Sequence, residues 1–131
     1  MTNKKILYLA VAFKDNILAE YSAQKHIKFS QSMPDILKRL TPGKIIVSAG
    51  KIEYMLANDN SNAVVYIAAV DADFSQQLAF ECLESMRNDF ERFFQVSKAK
   101  FGKPLSLNDE FESQLQRLCV CDVYDIGRLQ H

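Results

Sequence analysis

The chain has 131 residues, a length that fits one domain, and its 48% hydrophobic and 24% charged residues are typical of an ordinary globular protein. Sixteen Lys and Arg balance sixteen Asp and Glu, so no net field would hold a polyanion, and nucleic acid is not expected as a partner. The three cysteines are odd in number, which argues against a secreted disulfide framework, and no apolar run approaches the roughly 18 residues of a membrane span. We therefore expect a soluble, cytoplasmic chain.

The chain opens with a predicted β-hairpin. Residues 6–13 are almost wholly apolar, which is typical of a strand covered on both faces. Residues 14–16 supply turn chemistry, and residues 17–22 predict the second strand.

A short helix is predicted next. Ser32 is its expected N-cap, Pro34 is tolerated in the first turn, and the carboxylate of Asp35 lies near the positive end of the helix. Residues 41–43, Thr-Pro-Gly, end it. The apolar side chains that repeat at helical spacing are Met33, Ile36, Leu37 and Leu40.

Three further strands are predicted, at residues 44–49, 52–57 and 63–70. Gly50 supplies the turn between the first two, and the five turn-forming residues 58–62 predict a loop. The last of the three is apolar throughout, so we expect it at the centre of a sheet.

A long amphipathic helix follows the strands. Asp71 or Asp73 is its expected cap, and Gly102 and Pro104 are expected to end it. Its apolar stripe, which we expect to pack on the sheet, comprises Phe74, Leu78, Cys82 or Leu83, Met86, Phe90, Phe93 and Phe94.

A final helix is predicted from a cap at Asn108 or Asp109 through Leu118. The element order is then β-β-α-β-β-β-α-α. This order predicts an α+β fold in which helices flank a five-stranded antiparallel sheet.

The sequence offers no catalytic constellation. It has no phosphate-binding glycine loop and no nucleophile elbow, and His26 and His131 have no catalytic partner at a useful spacing. Cys119 and Cys121 lack the second pair of ligands that a zinc site needs. We therefore expect no enzyme activity, no metal and no cofactor.

Each of three polar features has a second possible interpretation. The Cys119 and Cys121 pair could serve a redox or lipidated role. The carboxylates of Asp71 and Asp73 could bind a divalent cation, although capping explains them more simply. A basic cluster near the end of the long helix could contact anionic lipid or simply be solvated; its members are Lys98, Lys100 and Lys103.

The order and spacing of these motifs resemble those of longin domains in longin-type R-SNAREs, over residues 5–118. The likeness includes the N-terminal strands at 6–13 and 17–20, a Gly between the third and fourth strands, and a Val-Tyr-apolar fifth strand. The residues that carry it further along the chain are 48–56, 64–67, Asp71-Ala72-Asp73-Phe74, Ala79-Phe80, Leu83 and Asn108-Asp109-Glu110-Phe111.

The resemblance implies a longin (profilin-like) fold over residues 1–118, with 119–131 a tail leading toward a SNARE motif or a linker. It further implies a non-catalytic regulatory and sorting domain of a vesicle R-SNARE of the endosomal and lysosomal class. Such domains fold back on the SNARE motif of their own chain and bind coat adaptors and trafficking regulators. The parent protein would act on the cytosolic face of vesicles or of endosomal and lysosomal membranes.

The resemblance also implies a partner-binding groove between the first helix and the third strand. Ile36, Leu37 and Leu40 would line its helix side, and Ile45 and Val47 its strand side. The third strand is expected at a sheet edge, where free backbone groups can accept an added peptide strand. Each of these five residues could instead belong to the core.

Two features depart from the longin pattern. Pro34 stands where a good helix former is usual, so the first helix could be shortened and the groove reshaped. Residues 119–131 contain no SNARE motif, which favours an excised domain over a longin protein that lacks the fusion motif.

Two rival classes remain open. One is a structural subunit of an adaptor coat or tethering complex, which shares the longin-like arrangement. The other is a small-molecule or lipid sensor, which would need convergent polar groups around an apolar cavity.

Overall fold

The computed structural model describes residues 6–13, 16–23, 29–39, 43–59, 64–93, 105 and 107–120. Their elements are β1 (Ile6–Phe13), β2 (Asn16–Ser22), a 3₁₀ turn (Phe29–Gln31), α1 (Met33–Leu37), β3 (Gly43–Ala49), β4 (Ile52–Asp59), β5 (Val64–Asp71), α2 (Gln76–Phe93) and α3 (Asn108–Val120).

The five strands form one antiparallel sheet in the order β2-β1-β5-β4-β3. Helices α2 and α3 pack on one face of the sheet, which we call the paired-helix face. The 3₁₀ turn and α1 pack on the other, the α1 face. The predicted fold class and element order are confirmed.

The two central strands, β1 and β5, are buried along nearly their whole length, as their continuous apolar runs predict. They pair with each other antiparallel, for example Leu9 with Ala68. Alternate side chains of these strands face the two helical layers, so the chain has a hydrophobic cluster on each side of the sheet.

Aromatic rings organise the cluster on the paired-helix face. The ring of Phe90 on α2 lies edge-on to Tyr66 of β5 at 6.1 Å and to Phe111 of α3 at 5.5 Å, centroid to centroid. Edge-to-face pairs of this kind are favourable beyond their buried area. Phe90 therefore joins the sheet and both helices.

A second set of rings anchors the α1 face. Phe29 stacks on Tyr8 at 5.1 Å and meets Tyr54 edge-on at 6.4 Å. The hydroxyl of Tyr8 donates to the Glu20 carboxylate at 2.6 Å. Burial first, and then the hydrogen bond to Glu20 and its negative charge, raise the pKa of the Tyr8 hydroxyl well above its ordinary value.

The predicted start of the long helix was wrong. Asp71 is the last residue of β5 and Asp73 lies in a turn, closed by the amide of Phe74 donating to the Asp71 carbonyl at 2.8 Å. The cap is Ser75, whose hydroxyl accepts from the amide of Leu78 at 3.3 Å, the geometry of an N-cap.

Two other predicted side-chain caps were also wrong. Ser32 precedes α1 but makes no side-chain cap hydrogen bond, because its own backbone is already helical at φ −87° and ψ −15°. Asn108 is the first residue of α3, but its side-chain oxygen accepts from the amide of Glu20 at 2.8 Å and its nitrogen donates to Glu112 at 3.1 Å.

The predicted loop at 58–62 begins too early. Asn58 and Asp59 continue β4, because they pair with Val65 and Val64 of β5. The predictions for His26, Leu40, Phe94, Lys98, Lys100, Gly102, Lys103, Pro104, Cys121 and His131, and for the side chains of Phe93 and Cys119, lie outside the described residues.

Replacing Tyr8 with phenylalanine is expected to lower the free energy of unfolding at neutral pH by about 1–2 kcal/mol, because the half-buried Glu20 carboxylate loses its donor. The folded-state pKa of Tyr8 is raised, so its contribution is complete below the unfolded-state value of 10.0 and is lost as the pH rises above it. Urea unfolding should therefore show the two proteins converging at alkaline pH.

The matched control is Tyr21→Phe, which removes a hydroxyl from a half-buried ring on the neighbouring strand β2. A Tyr8→Phe difference that stays constant across the alkaline range would contradict the assignment.

Candidate functional site

The two edges of the sheet differ in how their backbone groups are satisfied. On the β2 edge, the amides of Leu105 and Leu107 donate to the carbonyls of Ile17 and Leu18 at 2.8 and 3.1 Å. Asn108 accepts from the amide of Glu20 on the same edge. The segment that leads into α3 therefore covers β2.

At the opposite edge, β3 pairs with β4 alone among the described strands. The predicted edge position of the third strand is thus confirmed. The β3–β4 register runs from Gly43 opposite Asn58 to Ala49 opposite Ile52 without a bulge, and β3 contains no proline. A bulge or a proline commonly protects a sheet edge from further pairing, and β3 has neither.

The side chains of β3 alternate between the two faces of the sheet. Val47 belongs to the cluster on the α1 face, and Ile45 packs against it. Lys44 points to the paired-helix face, where its ammonium lies 5.3 Å from the centre of the Phe80 ring on α2. Ile46 shares that face with Lys44 and is 39% exposed.

The structure brings four of the five predicted groove residues together on the α1 face. Ile36 and Leu37 of α1 and Val47 of β3 share one cluster at 6, 7 and 9% exposure, and Ile45 is half-buried beside them. Leu40 lies outside the described residues. The described residues predicted to line the groove therefore belong to or pack against one apolar cluster, next to the strand at the edge of the described sheet.

Helix α1 has five residues, with Pro34 in its first turn. Hydrogen bonds hold its end: the Lys38 amide donates to the Pro34 carbonyl at 3.2 Å, and the Arg39 amide to the Ile36 carbonyl at 3.1 Å. The helix side of the groove is therefore short in the described part of the chain.

A two-residue turn fixes the β3–β4 hairpin. A type II′ turn requires positive φ at the first of its two central residues and not at the second. Gly50 has φ +67° and Lys51 does not adopt positive φ, so the turn is of this type. Such a turn closes on a hydrogen-bonded pair, here Ala49 and Ile52. Because bonding alternates along an antiparallel pair, the backbone groups of Lys44, Ile46 and Ser48 point outward, away from β4.

A separate cleft of about 290 Å³ lies on the paired-helix face, between α2 and the strands β3, β4 and β5. Two cations line it, Lys44 and Arg87, and Arg87 is paired along α2 with Glu84 at 3.8 Å and Glu91 at 3.3 Å. The Asn58 side-chain oxygen is buried there and has no hydrogen-bond partner among the described residues. The cleft does not overlap the predicted groove residues, which lie on the α1 face.

Some of the residues that could carry chemistry lie within the described ranges. Cys82 is a fully buried residue of the core on the paired-helix face. The described residues hold no group of three or more His, Cys, Asp or Glu placed to bind a metal. None of the described helices is both long enough and apolar enough to span a membrane.

Sequence reasoning missed two features of the sheet edges. The exposed position of Ile46 was hidden because Ile45, Ile46 and Val47 form one continuous apolar run. The cover over β2 involves Leu105, which adopts φ 58° and donates to a residue 88 positions earlier, Ile17. No local pattern signals a contact over that separation.

The sequence model of the longin family, described as a regulated-SNARE-like domain, matches residues 18–115. No curated protein matches the chain.

The Gly50→Ala substitution is expected to cost about 1–2 kcal/mol of stability, because alanine is strained in the left-handed region. A Cβ at this position meets no atom within 4 Å, so the cost is conformational rather than steric. Denaturant unfolding measures it, with Lys51→Ala in the same turn as control. Equal stability of the two variants would contradict the turn assignment.

Proposed function

This chain belongs to the longin family, and we propose that it is the non-catalytic regulatory and sorting domain of a vesicle R-SNARE of the endosomal and lysosomal class. A longin domain is a regulatory domain of SNAREs and membrane trafficking. The proposal adds the parent protein, its partners and the surface that binds them.

The observation that carries the proposal is the position of β3 at the edge of the described sheet, beside an apolar surface. The outward backbone groups of Lys44, Ile46 and Ser48 can hydrogen-bond an added strand, which supplies affinity independent of sequence. On the α1 face, Ile45 is the described groove side chain that a partner reaches most readily. Backbone pairing and one flank of apolar contacts are what a strand-adding peptide needs.

The first partner we propose is the SNARE motif of the parent chain. Apolar residues of that motif would cover Ile45 and the exposed parts of Ile36, Leu37 and Val47. A motif held in this way cannot pair with other SNAREs, so occupancy of the groove would regulate assembly. Coat adaptors or trafficking regulators would use the same groove when the motif leaves it.

A structural subunit of an adaptor coat or tethering complex is the alternative. Such a subunit would bury the β3 edge in a permanent interface. The sequence that follows this chain in its gene distinguishes the two. We expect an amphipathic heptad stretch with a central arginine and then an apolar anchor; a stop codon or an unrelated domain would favour the subunit.

The groove is tested by Ile45→Glu. Because the side chain is half-buried beside an apolar cluster, a glutamate there can reach water in the free domain but is covered when a partner binds. We expect at least a tenfold weaker affinity, about 1.4 kcal/mol, for a fluorescent peptide of an R-SNARE motif measured by anisotropy.

Leu105→Glu is the matched control, since Leu105 is 44% exposed and lies at the opposite edge of the sheet. Circular dichroism should show both variants folded. Unchanged peptide affinity in a folded Ile45→Glu protein would reject the groove, whereas unfolding of that variant would assign Ile45 to the core.

A further inference from the structure

The β3 edge is also complementary to itself. We propose that it pairs with the β3 edge of a second copy of the chain, in a symmetric antiparallel dimer centred on Ile46. This pairing does not depend on the proposed function, because it follows from the register, exposure and charges of β3 and β4.

The backbone of β3 favours this register. The outward groups belong to Lys44, Ile46 and Ser48, and Ile46 is the middle residue of the strand Gly43–Ala49. With two copies centred on Ile46, each Ile46 faces its counterpart and each Lys44 faces a Ser48. Every outward N–H and C=O of the strand then gains a partner, whereas a shifted register leaves part of the described strand unpaired.

The apolar side chains match in the same register. On the α1 face, Ile45 of each copy lies opposite Val47 of the other, and cross-strand pairs of β-branched residues are favourable. On the paired-helix face, the two Ile46 side chains meet at the symmetry axis. Ile46 is one of two large hydrophobic residues that are exposed in the described part of the chain, and the pairing covers it.

The charges give the pairing its specificity. Ser48 donates its hydroxyl to the Glu53 carboxylate on β4 at 3.3 Å, so both lie on the paired-helix face. In the dimer, Lys44 of one copy lies across from Ser48 of the other, with Glu53 immediately behind it. The long Lys44 side chain can reach that carboxylate across a small residue once its ammonium leaves the Phe80 ring of its own chain.

Lys44 and Glu53 of a single chain are too far apart to pair. Lys44 lies opposite Ala57, and Glu53 opposite Ser48, so four residues of strand separate them, about 13 Å. Attraction between these two side chains therefore occurs between copies and not within one.

Within the described ranges, no strand or helix pairs with the outer side of β3. On the paired-helix face, α2 packs mainly over β4 and β5, which lie one and two strands in from the edge. A single strand pair is a small interface, so we expect weak, concentration-dependent association. Because the dimer uses the edge that the groove partner would use, the two would exclude each other; this last step rests on the proposed function.

Sedimentation velocity from about 1 µM to about 1 mM tests the dimer, a range that brackets weak association. We expect dimer at the high end, and at least a tenfold weaker association for Ile46→Lys, which places like charges at the axis. Ile46 is exposed, so this variant should remain folded by circular dichroism. A wild-type chain that stays monomeric throughout, or a dimer that Ile46→Lys does not weaken, overturns the proposal.

Charge exchange tests the register. Lys44→Glu and Glu53→Lys should each weaken association severalfold, and the double variant should recover most of it, because the exchanged pair again meets across the interface. Lys51→Glu makes the same charge change in the exposed turn and should have little effect. Failure of the double variant to recover would refute the proposed register.

Discussion

The pairing of β1 with β5 is the constraint on which the rest of the fold depends. The strands that come first and last in the sequence lie side by side in the sheet, and each is buried along nearly its whole length. Each has one further side, which its neighbour in sequence occupies: β2 beside β1 and β4 beside β5. The hairpin from β4 then places β3 outermost, so the positions of both edges follow from one central pair.

The burial of β1 and β5 also explains the two layers of helices. A strand that is apolar at every position needs cover on both faces. The amphipathic helices α2 and α3 supply it on one side, joined by the contact between Phe90 and Phe111. On the other side the described cover is short, since α1 has five residues, and the ring of Phe29 supplies much of it. The thinner layer is the one that borders the proposed groove.

Much of this could be predicted from the sequence, because the features that decide the strands and helices are local. The continuous apolar runs of β1 and β5 and the helical period of the α2 stripe can each be seen within one short stretch of sequence. The predictions failed where tertiary pairing competes with local propensity. Asn58 and Asp59 favour turns in isolation, but pairing with β5 keeps them in β4. Asp71 is a good cap residue, yet the same sheet extends through it and leaves capping to Ser75.

The site was predictable to a lesser degree, since burial and exposure on β3 depend on neighbours that are remote in sequence. The apolar residues at 45–47 form an unbroken run in which no periodicity separates the groove from the opposite face. The sheet makes that separation: Val47 joins the cluster on the α1 face, while Ile46 remains 39% exposed. An edge strand with a distinct side-chain set on each face can distinguish partners by which face they cover. Because its backbone can pair with one strand at a time, whichever strand binds also decides which others are excluded.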